Sequence, residues 1–210
     1  MGLIKEVLIM GKWEDECFDE LVELALKEGA KAAKVIPTSI VAVDERVRLK
    51  CEIPRCSGLN RYLTCPPNTM SVKKFSKILS LYKWCLLVQV EAPIDSSKKG
   101  EGRIDISVLE DYQMLHKPYK LKLLSIIEAI EGAAFKKGLR FASGLTGGCC
   151  VLCDQCVKDK STEMCRFPFR ARPAMEGVGI DVFQTAEDAG LPIHLSSSKN
   201  VLWSGLILLD

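Results

Sequence analysis

Two nucleotide fingerprints are missing from the sequence. No Walker-type loop occurs, because the stretch GLTGG at 144–148 lacks the lysine and the spacing. The G-x-G-x-x-G turn of flavin and nicotinamide proteins is absent as well. Charge of one sign is also lacking: 29 Lys and Arg against 27 Asp and Glu leave a formal net charge of +2. That balance points away from nucleic acid as a partner. No window approaches the roughly 20 apolar residues of a membrane-spanning helix. The opening run, MGLIKEVLIMGKW, is too short and too charge-flanked for a signal peptide. Gly2 is followed by Leu-Ile-Lys-Glu, without the Ser or Thr of a myristoylation signal. The expectation is a soluble, cytoplasmic protein with neither a nucleic-acid nor a membrane partner.

What is present is core material and thiols. Of 210 residues, 48% are apolar and 27% charged, enough for a single globular domain over 1–210. Residues 3–10, LIKEVLIM, read as a first strand. A helix follows with Phe18, Leu21, Val22, Ala25 and Leu26 at helical spacing, stopped by Gly29. Residues 33–36 and 46–51 read as extended. Ser71 caps a helix with Val72, Phe75, Ile78, Leu79 and Tyr82 on its apolar face. WCLLVQV from Trp84 is a buried strand, and 94–103 a polar loop. A helix carrying Leu121, Leu124, Ile127 and Ile130 ends at Gly138, divided by Pro118 from an earlier helix around 105–116. LRFAS reads as a short strand and GLTGG as the turn after it. Residues 171–190 read as one or two short helices broken by Gly177 and Gly179, and VLWSGLILLD as a terminal strand. Alternating strands and helices predict an α/β or α+β class with a mixed sheet flanked by helices. A ferredoxin-like sandwich with cysteine-rich loops is one topology that fits.

Ten cysteines are many for a chain of this kind. With no export signal, disulfides are not expected, because cytosolic thiols stay reduced. Tight Cys-x-x-Cys steps converge better on a metal than on one another. The segment at 149–168 contains Cys150-x2-Cys153-x2-Cys156-x8-Cys165-Arg-Phe-Pro. A C-x2-C-x2-C run with a later Cys near a Pro is the pattern by which bacterial ferredoxins hold [4Fe-4S] clusters. Structural zinc more often uses two separated Cys-x-x-Cys knuckles. The glycines at 144, 147 and 148 would let backbone N–H groups approach sulfur. Lys158, Lys160, Arg166, Arg170 and Arg172 offer positive charge nearby, though a solvated surface explains each of them singly.

The segment at 51–67 contains Cys51-x4-Cys56-x8-Cys65-Pro-Pro, three cysteines with no obvious fourth. Three thiolates could hold a cluster with one open iron, or a remote residue could complete the set. Cys149, Cys17, Cys85, His116 and His194 are the candidates, with zinc an alternative metal here. For Cys17 and Cys85 a buried core thiol is the commoner explanation, and for either histidine a hydrogen-bonded structural side chain. Glu14, Asp15 and Glu16, like Glu110, Asp111 and Tyr112, suit helix starts and helix surfaces and single out no acid–base pair.

The strings KCEIPRC…CPPN and CVLCDQC…CRFPFRARPAMEGVGIDVFQTAEDAGLPI resemble a family of predicted metal-binding proteins of unknown function, common in anaerobic bacteria and archaea. The resemblance runs from about residue 15 to the end. It implies two cysteine-rich, iron–sulfur sites in an anaerobe's cytoplasm, with Cys51, Cys56, Cys65, Cys150, Cys153, Cys156 and Cys165 as the matching ligands. It also places Arg172, Pro173, Met175 and Glu176 near the second site. At position 149 a non-ligand residue, often proline, is expected by this resemblance, which counts against Cys149 as a family-wide ligand. The sequence therefore predicts a protein with one or two [4Fe-4S] clusters, serving electron transfer with a redox partner protein. Two alternatives stand beside it: a structural zinc protein or adaptor, and an enzyme using an open iron at the three-cysteine site.

Overall fold

The computed structural model describes residues 2–53, 55–93, 106–193 and 200–210, with 2–13 and 106–114 as backbone alone. The polar loop expected at 94–103 and His194 lie outside the described residues. The described helices are α1 (Gly2–Lys27), α2 (Glu45–Glu52), α3 (Val72–Leu79), α4 (Ile106–Lys136) and α5 (Val182–Asp188). The strands are β1 (Ala32–Pro37), β2 (Trp84–Pro93), β3 (Ser143–Thr146) and β4 (Asn200–Leu209). They form one sheet in the order β1-β2-β4-β3, and all three pairings are antiparallel. No described helix is long and apolar enough to cross a membrane.

The unbroken apolar run of β2 arises because the sheet is covered on both faces. Leu86, Val88 and Val90 join Ile207 and Leu209 of β4 under α1 and α4, against Leu21, Ala25, Leu123, Ile126 and Ile130. The alternate residues Cys85, Leu87, Leu206 and Leu208 meet Phe75, Leu79, Met175, Ile180 and Ala186 on the other side. An α/β protein with helices flanking a sheet is what the alternation of elements predicted. The arrangement is three-layered, with the four strands paired antiparallel rather than mixed, whereas a ferredoxin-like sandwich carries helices on one face only. Cys17 and Cys85 are core thiols, one on each face of the sheet.

Several local expectations are corrected. Residues 3–10 are not a strand but the first turns of α1, since only Gly11 interrupts the run into the amphipathic segment and one glycine is tolerated in a helix. Leu26 is an exposed residue of α1 rather than part of its apolar face. Residues 46–51 are helical, within α2. Asp44 caps that helix by accepting from the Arg46 N–H at 2.7 Å, and the residues that follow are mostly good helix formers. Pro118 does not divide α4. It sits on the exposed side of the helix, with His116 and Lys120 buried beside it. LRFAS contributes only its last residue to β3, because Phe141 points to solvent.

Two glycines set how closely α4 lies against the sheet. A Cβ on Gly144 of β3 would stand 2.2 Å from Ile127 Cγ2, and one on Gly205 of β4 would stand 2.7 Å from Ile127 Cδ1. The last pair between β3 and β4 is Thr146 with Gly205. Beyond it the chain leaves the sheet as Gly147-Gly148-Cys149, alongside Trp203 and Ser204 of β4. This exit delivers the second cysteine segment to the end of the sheet.

Candidate metal centre

The first cysteine segment starts inside a helix. Cys51 occupies the last turn of α2, and the Cys56 N–H donates back to the Cys51 carbonyl at 3.0 Å. Tight turns follow. Cys65 N–H donates to Tyr62 O at 3.2 Å, and the Cys65 carbonyl accepts from Asn68 and Thr69. Cys56 is exposed, Cys51 half-buried and Cys65 buried. Cys56 Sγ accepts the Gly58 N–H at 3.4 Å, the kind of outer contact that orients a ligating thiolate.

The second segment wraps on itself. Cys150, Cys153, Cys156 and Cys165 together line a small cavity with Tyr62, Thr64 and Arg166. Cys165 Sγ accepts the Phe167 N–H at 3.4 Å. Arg166 donates to the Gln155 carbonyl at 2.7 Å, tying the return loop to the Cys-x-x-Cys run. Arg170 pairs with Glu128, and Arg172 with the largely buried Glu131 at 2.5 Å. These two arginines clamp the segment to α4 rather than facing the thiols. Lys160 is likewise spent on the carbonyls of Val157 and Lys158.

The glycines before the cluster serve packing and carboxylates. Gly144 N–H donates to Glu131 Oε1 at 2.6 Å and Gly148 N–H to Glu176 Oε2 at 3.0 Å, in place of the expected bonds to sulfur. Gly148 adopts φ +67°, a conformation few other residues take.

The two segments adjoin. The Ala174 N–H donates to Thr64 O at 3.1 Å, and Tyr62 and Cys65 pack with Cys149, Cys150 and Cys156 in one cluster. Cys51, Cys56 and Cys65 line a larger cavity of about 490 Å³, whose wall also includes Cys149, Glu176, Lys120, His116 and Trp203. Eight of the ten cysteines thus gather at two adjoining cavities. The other two are far from this chemistry: Cys85 Sγ lies 3.6 Å from the Ile36 carbonyl, and Cys17 packs under α4.

Electrostatics at the site follow burial. Burial pushes the Cys65 thiol up to about 12, with the Cys149 thiol the next contribution. Cys51 is raised by burial first and then by Cys56 and Glu176. Cys150 is raised by burial, against the lowering effect of a backbone hydrogen bond at Leu152. Thiols held protonated in this way become thiolates when a cation replaces the protons. Among the described residues, no three or more His, Cys, Asp or Glu side chains converge closely enough to hold one metal ion.

Lys120 was not singled out from the sequence. It is buried, donates to the Cys149 carbonyl at 2.6 Å, and lies 3.8 Å from Cys149 Sγ. Its ammonium stands 5.0 Å over the Trp203 ring, and Trp203 Nε1 donates to His116 Nδ1 at 2.7 Å. The i, i+4 spacing of His116 and Lys120 on α4 is the only sequence signal of this group.

An antiparallel sheet covered on both faces, with soft sulfur donors collected where β3 leaves it, defines a cysteine-rich α/β protein equipped for a metal. The chain belongs to the family described as predicted metal-binding protein (DUF2284), whose model matches residues 34–209. Comparison with curated proteins and with solved structures gave no match.

Proposed function

We propose that this is an iron–sulfur protein, with a first centre on Cys51, Cys56 and Cys65 and a second, a [4Fe-4S] cluster, on Cys150, Cys153, Cys156 and Cys165. The observation that carries the reading is the gathering of these thiols at two adjoining cavities with no other donor type in equal number. Thiolates are soft ligands suited to iron–sulfur clusters and zinc. A single zinc ion requires sulfurs about 2.3 Å from one point, whereas a four-iron cluster takes thiolates at its separate corners. The x2-x2-x8 spacing of the second segment, with four thiols lining each space, favours the cluster.

Such clusters supply reversible one-electron transfer. The residues of this chain would hold the two centres side by side and keep them at the protein edge, where Cys56 and Met164 are exposed. Electrons would then pass between a donor and a partner enzyme in the cytoplasm. A second reading, an enzyme acting at an open iron, draws on the cavity of about 490 Å³ beside the three-cysteine set. It falls within the size range of small-molecule sites. Under either reading, anaerobically purified protein is brown, contains iron and acid-labile sulfide, and gives an EPR signal on reduction. Colourless protein with stoichiometric zinc after anaerobic handling would refute both and leave a structural zinc protein.

A further inference from the structure

We infer that Cys149 is the fourth ligand of the centre built on Cys51, Cys56 and Cys65. The assignment rests on the cluster reading and names the donor that closes its less regular half. Cys149 follows two glycines and precedes the x2-x2 rhythm that starts at Cys150, so spacing alone leaves it surplus. Spatially it parts from its neighbour. Cys149 lines the large cavity together with Cys51, Cys56 and Cys65, while Cys150 lines the small one with Cys153, Cys156 and Cys165. Beside Gly58, a single point lies 3.3 Å from Cys149 Cβ and 3.4 Å from Cys65 Sγ. Gly58 is thus the place where the two segments close on each other.

Among the described residues, the rival donors are engaged elsewhere. Cys17 and Cys85 are in the two cores. His116 Nδ1 accepts from the Trp203 indole. Glu176 reaches the same cavity, but its carboxylate accepts the Gly148 N–H, and a carboxylate is a harder donor than the three thiols it would join. Lys120 adds an independent observation. Its buried ammonium fixes the Cys149 carbonyl and lies 3.8 Å from the sulfur, with no carboxylate ion-paired to it among the described residues. A four-thiolate cluster is anionic, and this cation stands where it would offset that charge.

Two consequences follow. The centres share one peptide, with their Cys149 and Cys150 Cα atoms about 3.8 Å apart, which gives electrons a short route between them. The first centre also has no open position, so a molecule entering the large cavity would meet sulfur-ligated iron and not a vacant site.

The test compares anaerobically purified full-length protein with its Cys149→Ala variant. The expected result is loss of about half the iron and sulfide, the share of one of two four-iron clusters, and of one of two EPR signals. The far-UV circular dichroism is retained. Cys85→Ala should keep the full complement. Because Cys149→Ala could misfold, alkylation of the wild type is mapped by mass spectrometry in parallel. Cys149 should be protected in the loaded protein together with Cys51, Cys56 and Cys65, and react after chelation. Full iron with both signals in Cys149→Ala, or equal alkylation of Cys149 before and after chelation, would overturn the assignment and restore the open-iron reading. Wild-type protein devoid of iron and sulfide would instead remove the cluster reading, and the assignment with it.

Discussion

Replacing Gly144 by alanine tests how β3 is held, and with it the strand that delivers Cys149 and Cys150. The added Cβ would stand 2.2 Å from Ile127 Cγ2 and 3.2 Å from Glu131 Oε1. Ordinary carbon contacts are about 3.5–4.0 Å, so either Ile127 or β3 must move. Ile127 is fully buried, and a Cβ on the neighbouring Gly205 would already stand only 2.7 Å from it, so the sheet side leaves it little room. Glu131 is held as well, by Arg172 and by the Gly144 N–H itself. The overlap places the cost near the top of the usual overpacking range, about 3 kcal/mol. With a urea slope of about 2 kcal/mol per molar, the unfolding midpoint should fall by about 1.5 M. Gly132, in α4, has nothing within 4 Å of an added Cβ. Gly132→Ala should therefore stabilise by about 0.5–1 kcal/mol through helix propensity. The assay is urea unfolding of both variants, followed by circular dichroism, with metal content measured before denaturant is added. Strain relieved by shifting β3 also moves the Gly147–Cys150 exit, so metal retention should drop in Gly144→Ala alone. A Gly144→Ala protein within 0.5 kcal/mol of wild type would refute the packing argument.

Two further outcomes follow from the group around Cys149. Lys120→Met removes a buried positive charge beside the sulfur, which disfavours adding an electron there. The EPR-monitored midpoint of the first centre should move to more negative potential, with Lys120→Arg closer to wild type; an unchanged midpoint in Lys120→Met contradicts the electrostatic role. His116 has its affinity for protons lowered by burial and then by Lys120, and its Nδ1 must stay unprotonated to accept from Trp203. Below the ordinary histidine value of about 6.5 the unfolded chain takes up a proton that the folded one resists. Stability should therefore fall as pH drops below that value, by at most about 1.4 kcal/mol per pH unit. His116→Gln should flatten this dependence in urea midpoints measured between pH 7 and 5, and equal slopes would rule His116 out as its source.

The parts of this fold that were legible are those where burial imposes a pattern. WCLLVQV and VLWSGLILLD are strands because both faces of β2 and β4 are covered, which leaves a continuous apolar run in the sequence. Ser71 marks the start of α3 and accepts from the Lys74 N–H as a capping residue does. Where burial is absent the pattern is silent. No residue of α2 is buried, so its hydrophobic spacing says nothing, and only Asp44 announces it. Pro118 misled because the cost of proline is local while the packing of Leu123, Ile126 and Ile130 on the same helix is not. At the site, the x2-x2-x8 and x4-x8 spacings separate the thiols into the same two groups that line the two cavities. Which way Cys149 faces could not be read from spacing, because it is decided by Gly148, by Lys120 on a distant helix and by the close approach at Gly58. The roles of the glycines were misread for a related reason. Their N–H partners, Glu131 and Glu176, lie 13 and 28 residues away from the glycines they bond.

The central claim, two adjoining iron–sulfur centres, is tested most directly by anomalous diffraction at the iron absorption edge from crystals grown anaerobically. Two iron-dependent density peaks are expected. One should lie among Cys150, Cys153, Cys156 and Cys165, and the other among Cys51, Cys56, Cys65 and Cys149. Peaks that appear only above the zinc edge, or no iron density at either set of thiols, would contradict the account.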